Sequence, residues 1–267
     1  MVFLRLFLVF SLFSIAFSFE HLNSHLLPRP LILEYPEKID TQLKGFEDDE
    51  LRLRCSSWRF AAETNNLSPW KTIPEECASY VKEYLIGRGY IFDLETVSNE
   101  AGAYAKSVEL NGDGKDAWVF DIDETLLSNL PYYAEHGYGL EVFDHVEFDK
   151  WIEKAVAPAL KPSLKLYEEV LGLGFKVIFL TGRSERHRTV TVENLINAGF
   201  REWHQLILRT PGDDGKTATI YKSEKRNEMA KEGYRILGNS GDQWSDLLGY
   251  STSVRSFKLP NPMYYIP

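Results

Sequence analysis

Downstream of Pro74 the apolar residues of this chain follow two rhythms in turn, a helical one and one of short unbroken blocks. Cys77, Tyr80, Val81, Tyr84 and Leu85 recur at helical spacing until Gly87, which predicts a helix over 74–87. A second helix is expected from Asp93, with Leu94, Val97, Ala101, Tyr104 and Val108 on one face. Trp118-Val119-Phe120 then forms a continuous apolar block behind the turn-forming Asn111-Gly112-Asp113-Gly114, the pattern of a buried central strand. From Pro162 onward helix and strand alternate. Leu164, Tyr167 and Leu171 mark a helix ending near 172–174, and a strand follows over 176–180. Ser184 is placed to cap a helix that stops before Gly199, and Leu206-Ile207-Leu208 reads as a strand. A helix from about Lys222 to Glu232 precedes strands near 235–239 and 255–258. Such alternation is the mark of a doubly wound parallel sheet, so the predicted class is α/β and Rossmann-like, with the early helices packed on it as an N-terminal extension.

Three stretches stand outside this alternation. Residues 2–17 are almost wholly apolar, broken by Arg5, Ser11 and Ser14, and Ala16-Phe17-Ser18 offers small residues for cleavage. Residues 1–18 are read as a signal peptide, since the run falls short of the roughly 20 residues that span a bilayer. Residues 19–50, with prolines, histidines and acids but no periodicity, are expected to form a loosely attached arm before a single domain over 51–267, whose part up to 110 is helical. Residues 129–161 are too many for an ordinary connection. They are expected to form a small helical cap over the strand ends, with a helix opened by Asp144 and Glu147 three residues on. Tyr132, Tyr133 and His136 are its candidate substrate contacts.

The strand at Trp118 delivers two acids one residue apart, Asp121 and Asp123. In a parallel sheet the carboxyl ends of strands carry the chemistry, and on extended backbone alternate side chains point the same way. One carboxylate can then attack phosphorus while the other handles the leaving group's proton. The competing reading is an acidic turn or helix cap. Thr181-Gly182-Arg183 follows the next strand and offers a hydroxyl and flexible backbone for phosphate oxygens. Lys222 brings a cation at a predicted helix start, and a third strand ends in Gly241-Asp242, with Asp246 four residues later.

Paired acid, hydroxyl, lysine and acid pair in this order resemble the four motifs of the haloacid dehalogenase (HAD) superfamily. Asp123 resembles the phosphatase and phosphomutase branch. The stretches 144–158, 221–226, 238–247 and the tail 257–265 look like the plant acid phosphatase and vegetative storage protein family, a class B-like group in subfamily IIIB, with similarity over roughly 50–267. The resemblance implies an acid phosphatase acting on small phosphate monoesters through an aspartyl-phosphate. It casts Asp121 as nucleophile, Asp123 as acid and then base, and Thr181, Gly182 and Lys222 as phosphate binders. Asp121, the Asp123 backbone carbonyl and Asp242 are the implied metal ligands, with Asp246 behind them or simply opening a helix. No Cys/His cluster lies among these oxygen donors, which favours Mg²⁺ over Zn²⁺. Some storage members of the family have lost the nucleophile, and this chain keeps it; the alternative is a storage protein with incidental activity. A phosphotransferase is a third reading.

Charge and cysteine content refine the setting. A net charge of −9 argues against a nucleic-acid partner. It does not exclude an anionic substrate, because charges beyond about 8 Å are largely screened. Cys55 and Cys77 are expected to pair in an oxidising compartment, and Asn66-Leu67-Ser68 is a glycosylation sequon followed by Pro69. The expected location is the secretory pathway, ending in the cell wall, the extracellular space or a vacuole. No membrane association is expected after cleavage, and a homodimer is left open. Asn111, Asp113 and Asp116 are read as a turn rather than a calcium loop, since Ile122 stands where the last acidic ligand belongs. Arg183, Arg186, His187 and Arg188 are read as a solvated helix face, with steering of phosphate as the alternative.

Overall fold

The computed structural model describes residues 46–67 and 69–267. The expected signal peptide and most of the expected arm lie outside the described residues. The described chain builds a five-stranded parallel sheet in the order β3-β2-β1-β4-β5. Its strands are β1 (Asp116–Phe120), β2 (Lys176–Ser184), β3 (Gln205–Arg209), β4 (Arg235–Gly241) and β5 (Arg255–Lys258). β1 is central and buried along its whole length. The chain winds outward from β1 through β2 to β3, then returns to β1's other side with β4. The reversal falls between β1 and β4, where an open α/β sheet leaves a crevice at its carboxyl edge. Phe120 pairs with Ser240 there, and the Asp121 amide continues the ladder by donating to the Ser240 carbonyl at 3.0 Å.

Alternation along the strands divides the core into two layers. Trp118, Phe120, Val177, Phe179 and Phe257 face one way, and Ala117, Val119, Ile178, Leu180 and Ile236 the other. Trp118 is fully buried: its ring stacks on Phe257 at 5.4 Å, meets Phe175 edge-on at 5.6 Å, and its indole N–H donates to Ser240 Oγ at 3.1 Å. Gly238 sits opposite this ring, and a Cβ there would overlap the indole.

Helices α1 (Phe46–Glu63), α2 (Ala78–Ile86) and α3 (Arg88–Ser107) precede β1. α3 starts five residues before the expected Asp93, because Tyr90 turns inward and packs edge-on against Tyr84. α1 extends into the residues read as arm; its apolar positions make no continuous stripe, so its periodicity is faint in the sequence. It is held from outside, by Arg59 to Asp93 (3.0 Å) and by a disulfide from Cys55 to Cys77. Asp113 and Asp116 form the expected turn, both bound to Arg235.

Between β1 and α6 (Lys161–Gly172) lie α4 (Leu130–Glu135) and α5 (His145–Ile152). Asp144 caps α5 as expected, accepting from the amides of Val146 (2.8 Å) and Glu147 (3.3 Å). α7 (Arg188–Asn197) begins later than expected: β2 runs on through Ser184, which makes no side-chain cap, and one 3₁₀ turn follows. α8 (Ala218–Lys231) begins earlier, capped by Thr217, so Lys222 lies in its second turn and not at its start. A short α9 (Trp244–Leu247) follows β4.

The Cys55–Cys77 bridge closes a 22-residue separation. Replacing both cysteines with serine is expected to cost about 3 kcal/mol, since such a loop confines the unfolded chain. Thermal unfolding of the variant beside the oxidised protein checks this.

Candidate functional site

Asp121 follows β1 directly and Asp242 follows β4, so the two adjacent strands end in acids at the same edge. Lys222, projecting from α8, donates to Asp121 Oδ1 at 2.5 Å and also to Asp246 Oδ1. These side chains are buried. The other Asp246 oxygen accepts from the Gln243 amide at 2.9 Å, a reciprocal cap at the start of α9. Asp246 therefore both opens a helix and holds Lys222. Asn239 and the fully buried Arg226 bind the Asp246 carbonyl. Oxygens of Asp121, Asp242 and Asp246 lie within 4.8 Å of one another.

Crowding acids in a dry site makes their charges costly. Burial pushes the Asp121 carboxyl well above its ordinary range against the pull of Lys222, and Asp246, Asp242 and Asp123 add to the rise. Asp242 is raised to about 7 by burial and by the charges of Asp246 and Glu124. Burial alone would lower Lys222, but Asp121 and Asp246 outweigh it and raise its pKa.

Asp123 has a different environment. Arg183 forks onto it, with Nη2 at 2.7 Å from Oδ1 and Nε at 3.0 Å from Oδ2, and the Asn129 amide donates to Oδ1 at 2.8 Å. Burial pushes its carboxyl up, yet the Arg183 charge and these hydrogen bonds win and hold it below the ordinary value. The expectation of a solvated basic face after β2 is thus corrected. Arg183 and His187 are buried, and only Arg186 of the cluster is fully exposed, where it pairs with Asp149 of α5. The Asp123 carboxylate pulls Arg183 inward, a partnership that the local charge pattern does not reveal. Thr181 is buried on β2, next to β1, and its Oγ1 accepts from the Arg183 amide at 3.1 Å. Its hydroxyl proton remains available to an incoming oxygen. Gly182 is exposed, with open space where a Cβ would stand.

Around this centre is a shell of residues that the sequence reading had not assigned to the site. Glu124 is fully buried at φ 53° and accepts from Tyr264 Oη (2.5 Å), the Asn129 amide N–H (2.6 Å) and Asn129 Nδ2 (3.0 Å). Asn129 in turn accepts from the Trp151 indole of α5 at 2.8 Å. Asp242 Oδ2 accepts from Gln243 (2.8 Å) and Asn261 (2.7 Å). The family-like tail containing Asn261 and Tyr264 was the one available signal. Tyr132 and Tyr133, expected to meet substrate, are instead buried in aromatic packing: Tyr132 against Phe148 and Trp151, Tyr133 stacked on Tyr264. His136 is half-buried beside Tyr132 and bonded to Glu141. Asn66 is exposed, and Ser68 of its sequon lies outside the described residues.

A close set of buried carboxylate oxygens with no nitrogen or sulfur donors is chemistry suited to a hard divalent cation. The parallel sheet, its reversal at β1 and the acids at that edge define a doubly wound α/β protein with a carboxylate-centred site.

The chain belongs to the HAD superfamily, subfamily IIIB (acid phosphatase), whose family profile matches residues 41–267. It is 68% identical to Acid phosphatase 1 of Solanum lycopersicum over 263 residues, covering 98% of this chain and 100% of that one. Vegetative storage protein 1 of Arabidopsis thaliana is 44% identical over 215 residues, covering 80% of this chain and 79% of the relative. The fold matches that of the class C acid phosphatase from Bacillus anthracis with a TM-score of 0.57 at 24% identity, over 69% of this chain and 83% of that one.

Burial, with the Asp123 charge next, raises Glu124 from 4.5 to about 7 although Tyr264 and Asn129 pull it down. The folded protein therefore keeps a proton that the unfolded chain releases. The stabilisation is full below pH 4.5 and is lost as pH rises through about 7, a change of about 3 kcal/mol. Glu124→Gln cannot titrate, and its metal-free melting temperature is expected to fall less steeply across that window than the wild type's. Calorimetry at a series of pH values measures the difference.

Proposed function

We propose that this chain hydrolyses phosphate monoesters through an aspartyl-phosphate formed on Asp121, with Mg²⁺ as cofactor. The observation that carries the reading is the division of partners between two acids one residue apart: Asp121 is held by Lys222, and Asp123 by Arg183 and Asn129. A nucleophile needs to be ionised; Lys222 pulls Asp121 toward that form against burial and the neighbouring acids, and a bound divalent cation would add to that pull. A proton donor needs a position of its own and a proton to give. Asp123 is fixed by the Arg183 fork, and its lowered pKa means that it carries a proton only in acid.

In the first half-reaction an Asp121 oxygen attacks phosphorus, the ester P–O bond breaks, and the departing alkoxide takes the Asp123 proton. In the second, Asp123 takes a proton from water as that water attacks the same phosphorus. Phosphate leaves and the Asp121 carboxylate is restored. Thr181 and the backbone at Gly182 bind phosphoryl oxygens, and Lys222 offsets the charge that gathers on them. Asp121, the Asp123 carbonyl and Asp242 would hold Mg²⁺, which when bound supplies positive charge against the phosphoryl group and the crowded acids.

The disulfide supports folding in an oxidising compartment, in keeping with the leader-like residues 1–18, so the working location is read as extracellular, cell-wall or vacuolar. No helix among the described residues is long and apolar enough to cross a membrane. The relatives named as vegetative storage proteins favour storage as a second role, in which the specific activity of the purified protein would be low.

Asp121→Asn keeps the shape and removes the nucleophile. The expected outcome is a loss of p-nitrophenyl phosphate turnover by at least about 10³-fold with an unchanged circular dichroism spectrum; near-normal turnover would reject Asp121 as the attacking group. Exhaustive chelation is expected to abolish turnover and added Mg²⁺ to restore it, read by phosphate release across pH. Full activity after chelation would reject the metal.

A further inference from the structure

Beyond β5 the chain does not leave the molecule. Leu259 continues the ladder with its amide on the Gly241 carbonyl at 2.9 Å, and 260–263 are buried against the carboxyl edge of the sheet. Three more of its backbone groups are anchored. Ile266 N–H donates to Gln243 Oε1 at 3.0 Å, Gln243 Nε2 to the Tyr264 carbonyl at 3.3 Å, and Ala218 N–H at the start of α8 to the Pro267 carbonyl at 3.1 Å.

Within this segment Asn261 stands between Pro260, whose ring fixes its own φ, and Pro262, which restricts the Asn261 backbone. Its side-chain oxygen accepts from the Met263 amide at 2.9 Å, which fixes the orientation of its amide group. The remaining Nδ2 then points at Asp242 Oδ2, 2.7 Å away. Gln243 donates to the same oxygen at 2.8 Å. Two amides thus occupy Oδ2, while Oδ1 has only a 3.4 Å approach from Thr125 Oγ1. The carboxylate cannot rotate without breaking both short bonds, so Oδ1 is the oxygen left to face a cation.

We propose that Asn261 is a positioning residue that sets the rotation of the Asp242 carboxylate and, through it, the affinity of the site for a divalent cation. The inference rests on the reading of Asp242 as a metal ligand. It gives the C-terminal segment a role in the site that its distance in sequence from Asp121 conceals.

Mg²⁺ binding to chelator-treated full-length protein, followed by isothermal titration calorimetry, tests both layers. Asn261→Ala removes the whole amide. Asn261→Ser retains a hydroxyl that can accept from Met263 N–H and so preserve the turn, while losing the donor to Asp242. Both are expected to weaken Mg²⁺ binding by roughly tenfold or more, as loss of a partner behind a metal ligand does, with KM for p-nitrophenyl phosphate at saturating Mg²⁺ nearly unchanged. A purely structural role would lower the metal-free melting temperature and leave the Mg²⁺ dissociation constant where it was. Wild-type Mg²⁺ affinity in Asn261→Ser, while Asp242→Asn has lost binding, overturns the role of Asn261. Wild-type affinity in Asp242→Asn overturns the ligand reading itself.

Discussion

Asp121, Asp242 and Asp246 place carboxylate oxygens within 4.8 Å of one another in a nearly dry crevice, and their mutual repulsion is the constraint that the rest of the site answers. Left alone, such a group would take up protons or push the strand ends apart. Lys222 bridges two of the three and ties α8 to β1 and to the turn after β4. Arg226, under the same turn, spends its guanidinium on the carbonyls of Asp246, Leu248 and Ser251 and holds in place the loop that carries Asp246. The sheet supplies the positions of the acids, and the buried cations make those positions tenable.

Beyond the cations is a layer of neutral donors. Asn129, Gln243, Asn261 and Tyr264 each direct hydrogen bonds at Asp123, Glu124 or Asp242, and they come from parts of the chain far apart in sequence. Neutral donors stabilise a buried carboxylate without adding a charge that would itself need compensation. They also tie neighbouring elements together. Trp151 of α5 reaches Asn129, and Arg186 reaches Asp149, so the insertion between β1 and α6 is fastened to the Asn129 side chain that holds Asp123 and to the turn that follows β2.

How much could be read in advance differed from element to element. The strands were legible because parallel central strands are apolar on both faces and stand out as short blocks between turn residues. Helix α1 was not, since its stability comes from a disulfide and from ion pairs with residues outside it. Boundaries erred where a tertiary contact extended a helix, as Tyr90 does for α3. The acids Asp121, Asp123 and Asp242 with Thr181 and Lys222 could be picked out as a set because each falls at or just after a predicted strand or helix edge. Arg183 was misjudged because a basic residue among other basic residues looks solvated until its carboxylate is known.

By itself, then, the sequence determined the class of fold, the order of the strands' terminal acids and hydroxyl, the family, and the presence of two cysteines able to pair. The family was carried by the likeness of its motifs, and the rest are properties of composition, local periodicity and spacing along one dimension. Only the tertiary structure decided which donor faces which acid: Lys222 on Asp121 and Asp246, Arg183 on Asp123, Tyr264 on Glu124, Asn261 on Asp242. Pairings of that kind depend on distances across the crevice between β1 and β4, where Lys222 meets Asp121 and Tyr264 meets Glu124 in low dielectric although each pair is separated by more than a hundred positions.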